Sequence, residues 1–176
     1  MTRCDPLRRP EEAVERLYAY AAYRLGPGAD AEDVVSETIE RALRYRSSYD
    51  PSAGSPIAWM IGIARRCIAD ALSERGRRVD TPVEELVGVQ PDFSSEVASR
   101  SDLRRAVEAL EDRERELIAL RYGADLSARE IGALLDLRTN TVEVAIHRAL
   151  AKLRVGLESS GWKDEPAKTT DLLFDG

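Results

Sequence analysis

Ser127 and Glu130, and further on Asn140 and Glu143, repeat one arrangement: a short polar side chain followed three residues later by a glutamate. At that spacing each pair satisfies the free N–H groups that open a helix, as a capping box. Behind the first box Ile131, Leu134 and Leu135 fall three and four apart, and the helix ends near Asp136. After the turn Asp136-Leu137-Arg138, the residues Val142, Ile146, Ala149, Leu150 and Leu153 lie on one side of a second helix. Two short helices joined by a tight turn fit the motif that sets one helix in a DNA groove, so the chemistry expected of Leu126 to Arg154 is the reading of base edges and phosphates. A helical hairpin packed in a bundle fits the same spacing.

The composition supports helices. Charged residues make up 33% of the 176, aromatic residues only 6%, and Ala, Leu, Arg and Glu abound, which predicts an all-α protein. The net charge of -6 conflicts with a nucleic-acid partner until it is divided along the chain: about +1 over 1–78, -4 over 79–101, 0 over 102–154 and -3 over 155–176. DNA affinity must then come from local basic faces or from a larger partner. With Cys4 and Cys67 as the only cysteines and His147 as the only histidine, neither a zinc site nor a disulfide framework is expected, and no cofactor is implied. No run of about 18 apolar residues exists and the N-terminus lacks an apolar signal core, so the expected location is cytoplasmic.

The elements that must carry the motif follow in order. Pro10-Glu11-Glu12 starts a helix with an apolar stripe of Val14, Leu17, Tyr18, Ala21 and Leu25, stopped by Gly26-Pro27-Gly28. Asp30 is the expected cap of a second helix, buried along Val34, Val35, Thr38, Ile39, Ala42 and Leu43; its charged face suits either solvent or a partner. Asp30, Glu32 and Asp33 have the residue types of an acid-base or metal cluster, but an exposed helix start explains them, and no enzyme is expected. The stretch from Tyr45 to Gly54 mixes turn formers with tyrosines and reads as an ordered loop. Ser55 caps and Pro56 starts a helix of about 20 residues ending near Gly76. On it Ile57, Met60, Ile61, Ala64, Ile68, Ala71 and Leu72 share one face, while Trp59 and Ile63 point away, beside Arg66 and Asp70. That apolar pair suits packing against other helices or the stacking of nucleotide bases.

From Val79 to Ser101 the periodicity breaks up, which marks a boundary between two small helical domains joined by a flexible acidic linker. The predicted organisation is a helical domain over 10–78, a linker over 79–101, a second domain over 102–155 that ends in the helix-turn-helix, and an acidic tail over 156–176. Leu103, Val107, Leu110, Leu117, Ile118 and Leu120 supply the supporting helices of the second domain.

These two units in this order carry a family resemblance. Asp30 to Arg78 resembles region 2 of extracytoplasmic-function (ECF) sigma factors of the sigma-70 family, and Ala109 to Arg154 resembles their region 4. The resemblance implies a transcription initiation factor that binds core RNA polymerase, directs it to promoters and assists DNA melting. It implies polymerase contacts at the β′ clamp through Asp33, Glu37, Glu40 and Arg41, with the β flap as a further contact. It implies that Tyr45, Ser47, Ser48, Tyr49 and Trp59 capture bases of the -10 element while Arg65, Arg66, Arg75, Arg77 and Arg78 hold phosphates. It places -35 recognition on Arg138, Thr139, Asn140, Thr141, Glu143, Val144, His147 and Arg148. Family members are often held by an anti-sigma factor that occludes both domains.

Departures from the family pattern concentrate in the reading helix. Glu143, Val144 and Ala145 stand where a basic residue, a serine and an arginine are common, so positive charge is lost, while a carboxylate can accept from cytosine N4 and Val144 suits a thymine methyl. Ser36 stands where glutamine is frequent, and the first helix starts late for the family. These departures also fit a sigma-like regulator that binds polymerase or DNA without opening promoters.

Overall fold

The computed structural model describes residues 5–78 and 95–159, with side chains over 5–74 and 102–159. Among these residues it is all α, with seven helices: α1 (Pro10–Leu25), α2 (Ala29–Tyr45), α3 (Pro56–Arg78), α4 (Ser95–Glu108), α5 (Asp112–Ile118), α6 (Ala128–Leu135) and α7 (Thr139–Ser159). A 3-10 turn, Arg46–Ser48, follows α2, and a π-helical turn, Ala119–Gly123, prolongs α5. The expected linker lies outside the described residues as far as 94. Its last part is the start of α4, which begins ahead of the expected Asp102 because its few apolar residues give no clear periodicity. The acidic tail from 160 onward is likewise outside them.

Helices α1, α2 and α3 form the first unit, and α4 to α7 the second. The two are packed together. One apolar core runs through both, from Leu17, Tyr20, Met60 and Ile61 to Leu117, Leu120, Leu126 and Ile131. A satellite core of Val107, Leu110, Ile118, Ala149 and Leu153 sits behind it, under α4.

Several local expectations shift. The buried face of α1 is Ala13, Leu17, Tyr20 and Ala21, and Val14 is 42% exposed, because α1 turns Tyr20 toward the π-helical turn of the second unit. Leu43 is also exposed, since it lies in the last turn of α2, beyond the core made with α3. Asp30 is not the cap of α2: the helix starts at Ala29 on Gly28, leaving Asp30 in the first turn with Glu32, where negative charge complements the helix dipole. Similarly α7 begins at Thr139, so Asn140 lies inside it, and the backbone N–H groups of Thr141 and Val142 close on the Arg138 carbonyl instead.

Candidate nucleic-acid and polymerase interface

The helix-turn-helix forms as its sequence demands. The Ser127 hydroxyl accepts from the Glu130 N–H at 3.2 Å, while the Glu130 carboxylate accepts from the Ser127 N–H at 2.9 Å. Helix α6 ends on Asp136 in the left-handed conformation, at φ 55°, and Leu137 N–H donates to the Gly132 carbonyl at 2.8 Å. Gly132 is required at this corner: a β-carbon there would stand 2.6 Å from the Leu137 carbonyl oxygen. Val142, Ile146, Ala149 and Leu153 fasten α7 to the cores, so its remaining face is turned outward. Arg138, Thr139, Asn140, Thr141, Glu143, Val144, His147 and Arg148 are all exposed on or beside the N-terminal half of α7. The structure thus brings the eight together on one surface. Its polar groups suit base edges, and Val144, 51% exposed, offers a methyl-binding contact.

The loop between α2 and α3 is ordered by its own side chains. Asp50 accepts from the Ser52 N–H and hydroxyl, which hold its carboxyl below the usual range, and the Ser48 hydroxyl donates to the Tyr45 carbonyl. The Tyr49 hydroxyl donates to the Gly54 carbonyl at 3.0 Å, and its ring meets that of Trp59 at a centroid distance of 5.6 Å and a tilt of 54°. Tyr49 and Trp59 are therefore brought together, half-buried, with Trp59 packed against the core. Tyr45, Ser47 and Ser48 stand exposed on the same loop, and Arg66 is exposed on α3. The side chains of Arg75, Arg77 and Arg78 lie outside the described ones.

Arg65 is placed differently from Arg66. It points at the second unit, where its Nε donates to the Glu116 carboxylate at 2.7 Å. Further interunit bonds surround it. Arg16 donates to the carbonyls of Ala124 and Asp125 at 2.8 and 2.9 Å, and Arg24 donates to the carbonyl of Asp112 at 2.9 Å and pairs with its carboxylate at 2.8 Å. The Ser55 hydroxyl, which heads α3, donates to Glu130 at 2.5 Å. Burial pushes the Tyr20 hydroxyl above its ordinary range, and the Glu116 charge pushes the same way while Arg24 and Arg65 oppose it. Sequence reasoning missed Arg16, Arg24, Ser55 and Glu116 as interunit contacts, since each has an ordinary role on its own helix.

On the opposite side, α2 and α3 border an acidic groove of about 460 Å³ lined by Asp30, Asp33, Glu37, Asp70 and Glu74. Asp33, Glu37 and Glu40 are exposed; Arg41 bridges Glu37 and Asp70, and Glu40 pairs with Arg44. Asp70 and Glu74 add α3 to a surface that the sequence placed on α2 alone, and only the packing of the two helices reveals it. Cys67 lies against this groove but is buried, with the Thr38 hydroxyl donating to its sulfur; burial raises its thiol, a setting that disfavours the reactive thiolate. No helix among the described residues is long and apolar enough to cross a membrane.

Two family profiles coincide with the two units: sigma-70 region 2 matches residues 11–78 and sigma-70 region 4 matches residues 100–153. The chain is 34% identical to the ECF RNA polymerase sigma factor SigF of Caulobacter vibrioides over 139 residues, covering 78% of this chain and 77% of that protein. The chain belongs to the ECF sigma factors of the sigma-70 family. As a sigma factor it is a promoter-specific transcription initiation factor. It is also 33% identical over 172 residues to SigD of Mycobacterium tuberculosis, covering 89% of this chain and 79% of SigD. Its fold matches the sigma factor RpoE of Bartonella quintana, solved in complex with the anti-sigma factor NepR, with a TM-score of 0.67 at 24% identity, over 83% of this chain and 92% of that one. The likeness extends across both units of the sigma factor.

Proposed function

We propose that this sigma factor divides promoter recognition between its units, with α7 reading the -35 element and the α2–α3 loop holding unpaired bases of the -10 element. The observation that carries this reading is the common exposure of Arg138, Thr139, Asn140, Thr141, Glu143, Val144, His147 and Arg148 on a helix fastened by its other face. The Tyr49–Trp59 ring pair supports the -10 assignment: an unstacked base needs an aromatic surface, and each such stack contributes about 1–3 kcal/mol. Arg65, Arg66, Arg75, Arg77 and Arg78 supply phosphate contacts from α3. The acidic groove, with Asp33, Glu37, Glu40 and Arg41, is the surface for core polymerase at the β′ clamp, where charge complementarity sets register and encounter rate. The β flap is the polymerase contact of the second unit.

In this reading residues 10–78 are the polymerase and -10 domain, 79–101 the connector, 102–155 the -35 domain and 156–176 an acidic tail. The factor works in the cytoplasm, carries no catalytic residue of its own, and is open to capture by an anti-sigma factor, as its fold relative is by NepR. The test is transcription from a matched promoter by purified core polymerase with and without the protein. A specific transcript and an open complex that depend on the protein are expected. Polymerase binding without either would favour a sigma-like regulator that does not open promoters.

A further inference from the structure

The two promoter-reading surfaces are held too close together to act at once. The -10 and -35 elements are roughly two dozen base pairs apart, ~80 Å at 3.4 Å per base pair. Here Ser55, at the end of the -10 loop, is hydrogen-bonded to Glu130, one short helix and a turn before the start of α7. At 1.5 Å per helical residue the two surfaces lie within roughly 25 Å of each other. The units must separate before both elements are engaged.

We propose that this chain holds itself closed, and that the Arg65–Glu116 pair is the latch: the Glu116 carboxylate occupies the guanidinium that a -10 phosphate would otherwise take. The inference rests on the reading of Arg65 as a phosphate contact. Three observations carry it. Arg65 belongs to the -10 unit and Glu116 to the -35 unit, so the 2.7 Å bond exists only when the units are together. A carboxylate presents to the guanidinium the same pair of anionic oxygens as a phosphodiester, so DNA and Glu116 compete for one site. The pair is sheltered, with Glu116 15% and Arg65 33% exposed, and sits beside the buried Tyr20, where solvent screens it less than an open surface pair. Arg16, Arg24 and Ser55 hold the same interface without touching the reading face of α7. Strand capture therefore favours the open form, and opening favours strand capture, with the reciprocity that linkage demands.

The test uses the full chain with Cys4→Ser and spin labels on exposed Ala53→Cys and Ala133→Cys, read by electron-electron distance measurement. Anisotropy with a fluorescent single-stranded -10 oligonucleotide is run in parallel, and circular dichroism establishes that each variant is folded. Glu116→Arg is expected to lengthen and broaden the label distance and to tighten oligonucleotide binding about 5-fold or more, the lower end of ordinary coupling between sites. The exchanged pair Arg65→Glu with Glu116→Arg is expected to restore the short distance while binding the oligonucleotide more weakly than the parent. A folded Glu116→Arg variant with an unchanged label distance would overturn the latch. Arg65→Ala added to Glu116→Arg decides the reading beneath it: if the double variant binds the oligonucleotide as well as Glu116→Arg alone does, Arg65 is no phosphate contact, and the competition is overturned even if the units have opened.

Discussion

Gly123 lies flush against the backbone of Tyr20: a β-carbon at position 123 would stand 2.9 Å from both the Cα and the N of Tyr20. The contact joins the π-helical turn of the second unit to the middle of α1, and its atoms are main chain, which cannot swing aside. Gly123→Ala is therefore expected to push the units apart and to destabilise the closed chain by roughly 1–3 kcal/mol, the ordinary cost of overpacking. Urea unfolding of the full chain measures it. A midpoint equal to the parent's would show that α1 and the turn have room to shift.

Gly132 makes a second close approach, within one unit. Its missing side chain lets the Leu137 carbonyl pass the end of α6, and Gly132→Ala would force a β-carbon to 2.6 Å from that oxygen. The expected result is a loss of roughly 1–3 kcal/mol in stability, together with weaker transcription from promoters that depend on a -35 element. Runoff transcription with purified polymerase, beside a thermal melt, reads both. Full -35-dependent activity in the variant would mean that the α6–α7 angle matters little.

Glu130 ties stability to pH. Burial raises its carboxyl, but bonds from the Ser55 hydroxyl and from the Ser127 N–H and hydroxyl, with Arg16 nearby, outweigh burial and hold it below the usual range. A lowered folded value means that the charged form is stabilised by folding. Its contribution is whole above the unfolded value, near 4.3, and is lost as pH falls through the lower folded value. Ser55→Ala removes one of these bonds. Parent and variant should differ most near neutral pH and draw together in acid, in urea midpoints followed from about pH 7 to about pH 3. The α3 cap that Ser55 also makes is lost at every pH. A gap of constant width would therefore assign the whole effect to that cap.

The Tyr49–Trp59 pair offers a test of the proposed -10 surface. Tyr49→Ala with Trp59→Ala should reduce open-complex formation roughly 5- to 160-fold, from stacking energies of about 1–3 kcal/mol, and reduce core polymerase binding far less. Permanganate footprinting measures the first and native gel shift the second. Equal loss of both would point to a collapsed first unit, since Trp59 also packs on the core.

Local grammar made much of this legible. The Ser127–Glu130 box, the Ser55-Pro56 start and the apolar stripes of α3 and α7 each follow from spacing within one helix, and all are present save that Leu72, at the end of the α3 stripe, is exposed. The helix-turn-helix was readable for that reason. Spacing misleads where a neighbouring element decides the outcome. Val14 fits an amphipathic stripe as well as Ala13 does, and only the approach of Gly123 to Tyr20 selects the face that is buried. Arg65 and Arg66 are adjacent in sequence and alike in chemistry, yet one meets Glu116 and the other meets solvent. Periodicity describes a helix and its face. It does not say which distant carboxylate that face will meet.

The core shared by Leu17, Tyr20, Leu120 and Ile131 has a consequence for the lifetime of the molecule. Parting the units would bare these side chains and leave the middle of α1 without its cover, so the form able to span a promoter is also the one most accessible to proteases and to aggregation. Polymerase, by covering the parted surfaces, would act as a shelter as well as a workplace. A molecule that opens without finding polymerase would be short-lived, and the pool of active factor would be limited to the number of polymerases ready to receive it.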